Sequence, residues 1–404
     1  MMLDIDQAVY LGPRGQWVRL GNERSKGIRG GDPEQLGKFH SVGADIFDPE
    51  GYVFIPRGFN VGGGLQGGNG NGWPDYALNT EFRDGMKAWA PVNSVRLTFY
   101  VTDRNSWSLR GKAIAEGKSK EEADAVIDTH VRRLVSFWRS AGFVVMVEAH
   151  DITGSPLYAD GVLSQGALSW ISQIQDFWRR NAEVWKNDTG VWFNLANEPN
   201  LREAEWHTFT TDTCAVIREE VGADNMIVAD LLYYSSDSGL IGNRETAPFG
   251  YDDHMIPARI ERFGNIIASQ HNYGSWGVMV TDQRVDSHYA MYRTKGIPLL
   301  IGEIGWPAKD GDTGIRIESN AGMTQYNIDG GRASMKAAAK HDIGVFWWAV
   351  NFGDQFRIYD PTRTDANSNY PVRNPFAQNP SHPLNEAGVE FRAYLEASKA
   401  SVGR

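Results

Sequence analysis

The sequence predicts an α/β fold of the (β/α)8 barrel type. Three observations carry that reading: eight short runs that are apolar on both faces, amphipathic segments between them, and polar residues gathered where the runs end. The runs are YVFIPRGFN (52–60), VNSVRLTFY (92–100), FVVMVEAHD (143–151), VWFNLANEP (191–199), NMIVADLLYY (225–234), IIASQHNY (266–273), IPLLIGEIG (297–305) and IGVFWWAVN (343–351). Runs rich in Val, Ile, Phe and Trp suit parallel strands covered by helices. A doubly wound open sheet is the alternative, but it usually has fewer strands.

Taken in chain order, residues 1–38 are the least readable and stand as an extension of unknown role ahead of a single domain, 39–404. FHSVGADIFDPEGYVFIPRG alternates, turns at Asp48-Pro49-Glu50-Gly51 and alternates again. That predicts a hairpin whose second arm leads into the first strand and plugs the barrel bottom. KEEADAVIDTHVRRLVSFWRSAG (120–142) carries a helical stripe, Ala123, Val126, Ile127, Val131, Leu134, Val135 and Trp138, and Gly142 stops it. The segments SQGALSWISQIQDFWRRNAEVW, AGMTQYNIDGGRASMKAAAKH and NEAGVEFRAYLEASKA are the later helices. Long irregular stretches follow strand one, with Trp73 a candidate sugar platform, and strand eight. Loops of that kind build sites at the C-terminal face of a barrel.

Bulk composition excludes several functions. The net charge of −10, with no basic stripe, argues against nucleic acid as a partner. No run is long and apolar enough for a membrane span. The opening MMLDIDQAVY lacks the basic and apolar regions of a signal peptide, so export requires a leader already removed; otherwise the chain works in the cytoplasm or in a larger assembly. The single cysteine, Cys214, lies in a helical run and reads as structural. GGGLQG (62–67) satisfies G-x-G-x-x-G, but no helix start follows it, so no nucleotide cofactor is expected. His150 and Asp151 lack the partner spacing of a metal site, so no metal is expected either.

In a barrel, polar residues at the C-terminal ends of strands face the active-site mouth. Here those residues are Asn60, Arg96, His150 with Asp151, Asn197 with Glu198, His271 and Tyr273, Glu303, and Trp347 with Trp348. Two glutamates therefore converge beside an arginine. Carboxylates about 5.5 Å apart, at an effective dielectric near 20, repel by about 3 kcal/mol. That is roughly two pKa units, enough to split a pair into one charged and one protonated partner near neutral pH. Glycoside hydrolysis with retention needs that split.

The chain resembles glycoside hydrolase family 5, a group of retaining (β/α)8 enzymes, over roughly 40–355. The resemblance rests on RGFN (57–60), VRLTFY (95–100), EAHDITG (148–154), NLANEPN (194–200), SQHNY (269–273), LLIGEIGW (299–306) and FWWAVNF (346–352). It implies Glu198 as acid/base and Glu303 as nucleophile. It further implies that Asn197 binds the sugar 2-hydroxyl, that Arg96 and Tyr273 orient the nucleophile, that His150 and His271 line the catalytic subsite, and that Trp348 stacks under the sugar. EAHDITG and GEIGWPAKDGD are most similar to bacterial endo-β-1,4-mannanases, from which Trp306 and LLYYSSD (231–237) depart. The expectation is a monomeric endo-β-glycosidase acting on β-mannan. The alternatives are an endo-β-1,4-glucanase and a barrel that binds glycan without cleaving it.

Overall fold

The structure is a computed structural model, described here for residues 9–11, 17–19, 30–64, 77–106, 108–152, 157–231, 255–272, 282–306, 325–348, 384 and 386–402. Eight strands form a closed barrel: β1 (Arg57–Gly64), β2 (Ser94–Phe99), β3 (Val144–Ala149), β4 (Val191–Asn194), β5 (Ile227–Asp230), β6 (Ile266–Asn272), β7 (Leu299–Ile304) and β8 (Gly344–Trp347). Seven of the strands lie within their predicted runs, whereas β1 starts inside 52–60 and continues to Gly64. Each pairs in parallel with the next, and β8 closes on β1 through Val345–Arg57, Phe346–Gly58 and Trp347–Phe59.

Side chains alternate in and out along a strand. The outward set, including Val95, Leu97, Val145, Val147, Phe193, Ala229, Ala268 and Ile301, joins the helices in one large core. The inward set divides by height. Towards the strand N-termini it is apolar: Val144, Met146, Trp192, Met226, Val228, Ile267, Leu300 and Phe346. Towards the C-termini it is polar, and all of it is buried: Asn60, Arg96, Glu148, Asn194, Asp230 and His271. The barrel is thus a filled cylinder, with an oily floor beneath a charged cup.

The floor is sealed from below as expected, but the hairpin is divided differently. Its ladder pairs His40–Val42 with Asp45–Phe47, because the chain already reverses at Gly43, in the left-handed region at φ 60°. The Asp48–Gly51 turn does form, closed by the Gly51 N–H donating to the Asp48 carbonyl at 2.9 Å. It leads only to a single bridge, Phe47 to Val53. Phe39 and Phe54 meet Trp192 edge-on, with ring centroids 5.7 and 5.9 Å away. Residues just before the hairpin fasten onto the same end: Gly30 and Gly31 donate to the Gly51 carbonyl, and Lys38 pairs with Asp224 at 2.6 Å.

Two of the helices around the barrel show how capping chemistry sets their ends. Helix Lys120–Arg139 starts in a capping box formed by Ser119 and Glu122. It ends in a Schellman turn: the Phe143 N–H reaches the Trp138 carbonyl, the Gly142 N–H reaches Arg139, and Gly142 has φ 84°. Of its predicted stripe, only Val126 is not fully buried. Helix Gln165–Trp185 is capped by Ser164. Trp178 and Trp192 lie wholly in the core, and the Trp178 indole donates to the Leu195 carbonyl. Cys214 is buried in helix Glu203–Ala215, where burial pushes its thiol up to about 12, so it is inert as a nucleophile. Among the described residues no helix is long and apolar enough to cross a membrane.

Candidate active site

Arg96 stands at the centre of the charged cup with no solvent exposure. Its Nε donates to Asn194 Oδ1 at 2.8 Å. One terminal nitrogen donates to Asn60 Oδ1 at 2.9 Å and to Glu303 Oε1 at 2.6 Å. The other donates to Asn197 Oδ1 at 2.7 Å and to Asp230 Oδ2 at 3.4 Å, and lies 3.7 Å from Glu148. Burial works against its charge, but Glu148, Glu303 and Asp230 more than offset it and hold the guanidinium above its ordinary value.

Strict alternation from Leu300 would aim Glu303 outward. A bulge corrects this. Gln270 pairs with Ile301 but His271 pairs with Glu303, and the β7–β8 register slips over the same residues. Gly302 absorbs the extra residue, and both it and Glu303 then face inward. A Cβ on Gly302 would come 2.5 Å from Ser269 Oγ and 2.9 Å from His271 Nε2. Gly302→Ala is therefore expected to cost about 1–3 kcal/mol in a denaturant melt and to lower kcat along with stability, since relief of the clash must move either His271 or the bulge.

Glu198 reaches the cup by a different device. It follows β4 with φ 34°, in the left-handed region. Among the described residues the other non-glycine residues there are Asp or Asn, whereas a Glu must be held by its surroundings. Its backbone N–H donates to Asp230 Oδ2 at 3.2 Å, and its Oε1 lies 2.9 Å from His271 Nδ1. That same nitrogen is 3.5 Å from Glu303 Oε2, and His271 Nε2 is 3.2 Å from Asp230 Oδ2. An oxygen of Glu198, an oxygen of Glu303 and a nitrogen of His271 all lie within 4.8 Å of one another. The Arg96 guanidinium beside Glu303 and the His271 ring supply the positive charge among these donors.

Burial opposes charge on His271, yet Glu303 and Asp230 raise it to about 10, so the ring is an imidazolium at neutral pH. Burial would also raise Asp230, but His271 and Arg96 pull it well below the usual carboxylate range. Glu303 is pushed above the ordinary range by burial, with His271 and Arg96 pulling down and Glu198 pushing up. Four carboxylates, Glu148, Glu198, Asp230 and Glu303, thus share the full charges of Arg96 and His271.

On the rim, His150 Nδ1 lies 3.0 Å from Glu148, which raises the ring against the effect of burial. The His150 ring stacks on Trp348 at 6.1 Å and 14°, and Asn197 Nδ2 lies 3.5 Å from His150 Nε2. The structure thus gathers Arg96, His150, Asn197, Glu198, His271, Glu303 and Trp348. Tyr273 and Trp73 lie outside the described residues. Asp151 turns away from the cup and accepts from the Val101 N–H, the Thr102 N–H and the Thr102 hydroxyl, stapling the loop after β2. The sequence reading missed Glu148, Asn194 and Asp230, although the inward parity that marks Arg96 marks them too.

Residues 54–354 match the family model described as cellulase (glycosyl hydrolase family 5). The chain belongs to glycosyl hydrolase family 5. Among its relatives is a β-mannanase/endoglucanase A of Caldicellulosiruptor saccharolyticus, 25% identical over 301 residues, which are 72% of this chain and 18% of that protein. A mannan endo-1,4-β-mannosidase of Streptomyces lividans is 25% identical over 187 residues, 46% of this chain and 44% of the relative. The chain therefore spans less than half the length of either. In fold, it is similar to the catalytic domain of a Thermobifida fusca endoglucanase (TM-score 0.59, 17% identity, 90% of this chain and 98% of that one). It is also similar to a β-mannanase from Thermomonospora fusca (TM-score 0.51, 20% identity, 80% and 87%).

Proposed function

We propose that this family 5 chain is a retaining endo-β-glycosidase that cleaves a β-1,4-linked polysaccharide, β-mannan first, as a monomer. The observation that carries the reading is the approach of buried Glu198 and Glu303, with oxygens within 4.8 Å. That separation suits direct attack by one carboxylate and leaves little room for the intervening water of an inverting mechanism.

Glu303 is the nucleophile. Its oxygen attacks the anomeric carbon while the glycosidic C–O bond breaks, and Glu198 gives its proton to the departing oxygen. In the second half, Glu198 takes a proton from water, the water oxygen bonds to the anomeric carbon, and the Glu303 carboxylate leaves. Arg96 and His271 keep Glu303 charged before attack. Asn197, fixed through its oxygen by Arg96, is placed for the sugar 2-hydroxyl. Tyr273 is assigned to orient the nucleophile. His150 and Trp348 form a flat wall for the C–H face of the ring.

Glucan is the second reading, because the names of the relatives pair mannanase with endoglucanase. A panel of mannan, glucomannan, cellulose, xylan and mixed-linkage glucan, read by release of reducing ends, decides. Fastest release from mannan and glucomannan is expected. Preference for cellulose or mixed-linkage glucan makes the chain a glucanase, and binding without release from any member makes it a non-catalytic glycan-binding barrel.

A further inference from the structure

We propose that Asp230 is a positioning residue of this site: its carboxylate fixes His271 as a donor at both ring nitrogens and so places the Nδ1–H between Glu198 and Glu303. The inference rests on the assignment of those two glutamates as acid/base and nucleophile.

The geometry is specific. Asp230 ends β5, facing inward after Met226 and Val228, and is almost wholly buried. Its Oδ1 accepts from the Asn194 amide at 2.9 Å, which fixes the plane of the carboxylate. Its Oδ2 then faces three donors: His271 Nε2 at 3.2 Å, the Glu198 backbone N–H at 3.2 Å and an Arg96 nitrogen at 3.4 Å. One oxygen thus holds both the imidazole and the backbone turn that carries Glu198 at φ 34°.

On the far side of the ring, Nδ1 faces Glu198 Oε1 at 2.9 Å and Glu303 Oε2 at 3.5 Å. A neutral imidazole carries a proton on only one nitrogen, and would turn a lone pair either to Asp230, 3.2 Å away, or to two carboxylates. With Asp230 ionised behind it, the ring donates on both sides. The charged groups facing His271 are Asp230, Glu198 and Glu303, with Arg96 also bonded to Asp230 and Glu303, and the elevation of the ring to about 10 agrees with that balance.

The arrangement suits the two half-reactions. Before attack, the bridging N–H helps to keep Glu303 ionised against burial. Once Glu303 is esterified its charge is gone, and the N–H retains Glu198 as its acceptor. It then steadies the carboxylate that must take the proton from water.

Asp230→Asn keeps the shape and removes the charge. Its expected effect is a fall in kcat on the best panel substrate of about 10²-fold, with KM changed much less. The basic limb of kcat/KM should move downward by about one pH unit or more, because without the Asp230 carboxylate the ring gives up its proton at lower pH. Nitrogen-15 histidine NMR of the same variant should show one ring titrating at lower pH than in the wild type. A variant that loses stability but keeps the wild-type basic limb and ring titration would reduce Asp230 to a structural residue. Should the variant not fold, the wild type alone decides: at least one of its nine histidines is expected to carry both ring protons at pH 9, and nine neutral rings would overturn the proposal. The NMR needs no substrate, so its outcome is separate from that of the polysaccharide panel.

Discussion

Replacing Glu303 with Gln is expected to lower kcat by about 10⁵-fold or more while leaving the fold intact or slightly more stable. The loss follows from chemistry: an amide oxygen does not displace a glycosidic oxygen, and no neighbouring carboxylate stands where Glu303 does. The stability expectation follows from charge. Glu303 is one of four carboxylates in a buried cup whose full positive charges are Arg96 and His271, and burial already pushes its carboxyl upward. Gln keeps an acceptor for the Arg96 N–H and removes one negative charge, so repulsion with Glu198 falls. Thermal melting of the variant beside steady-state rates on an aryl glycoside checks both halves. A variant that keeps more than about 1% of kcat removes Glu303 from the nucleophile's role.

Arg96→Ala should have the largest effect on stability. The guanidinium is wholly buried and donates to Asn60, Asn194, Asn197, Asp230 and Glu303. Its removal leaves carboxylates facing one another and three amide oxygens without that donor. Breaking a buried charge network from one side typically costs about 3–5 kcal/mol. The midpoint of denaturant unfolding should fall accordingly, and what activity remains should show its acid limb at higher pH, since Glu303 has lost its nearest cation. An unchanged unfolding midpoint would mean that Arg96 is not the hub of the cup. Lys at this position keeps the charge but supplies neither the planar fork nor its five donors, so it should rescue only part of the loss.

Most of the barrel was legible because its strands obey a simple physical pattern. Runs apolar on both faces can be buried only between a core and a layer of helices, and eight of them close a cylinder. The strand-end rule then found Asn60, Arg96 and His271, which face inward along their strands, and Asn197, which lies just past the end of β4. It should also have found Asp230, but that residue is embedded in NMIVADLLYY, where flanking apolar residues disguise one inward carboxylate. Glu303 is harder. Only the slip at Gly302 turns it inward, and a bulge leaves no mark in hydrophobic alternation beyond a glycine. The left-handed turn at Glu198 was not readable at all, because glutamate has no local preference for it and the surrounding structure imposes it. The hairpin below the barrel misled for a related reason. Asp-Pro-Glu-Gly is the stronger turn signal, yet the shorter reversal at Gly43 forms the ladder.

Mass spectrometry of a slowly hydrolysed 2-deoxy-2-fluoro glycoside, in both the manno and the gluco form, reports most directly on the pairing of Glu198 with Glu303. With either sugar, the added mass of one glycosyl unit is expected on the peptide that contains Glu303, and none is expected on that peptide in Glu303→Gln. A label on any other residue, or a wild-type protein that cleaves polysaccharide and forms no adduct with either sugar, would contradict the assignment.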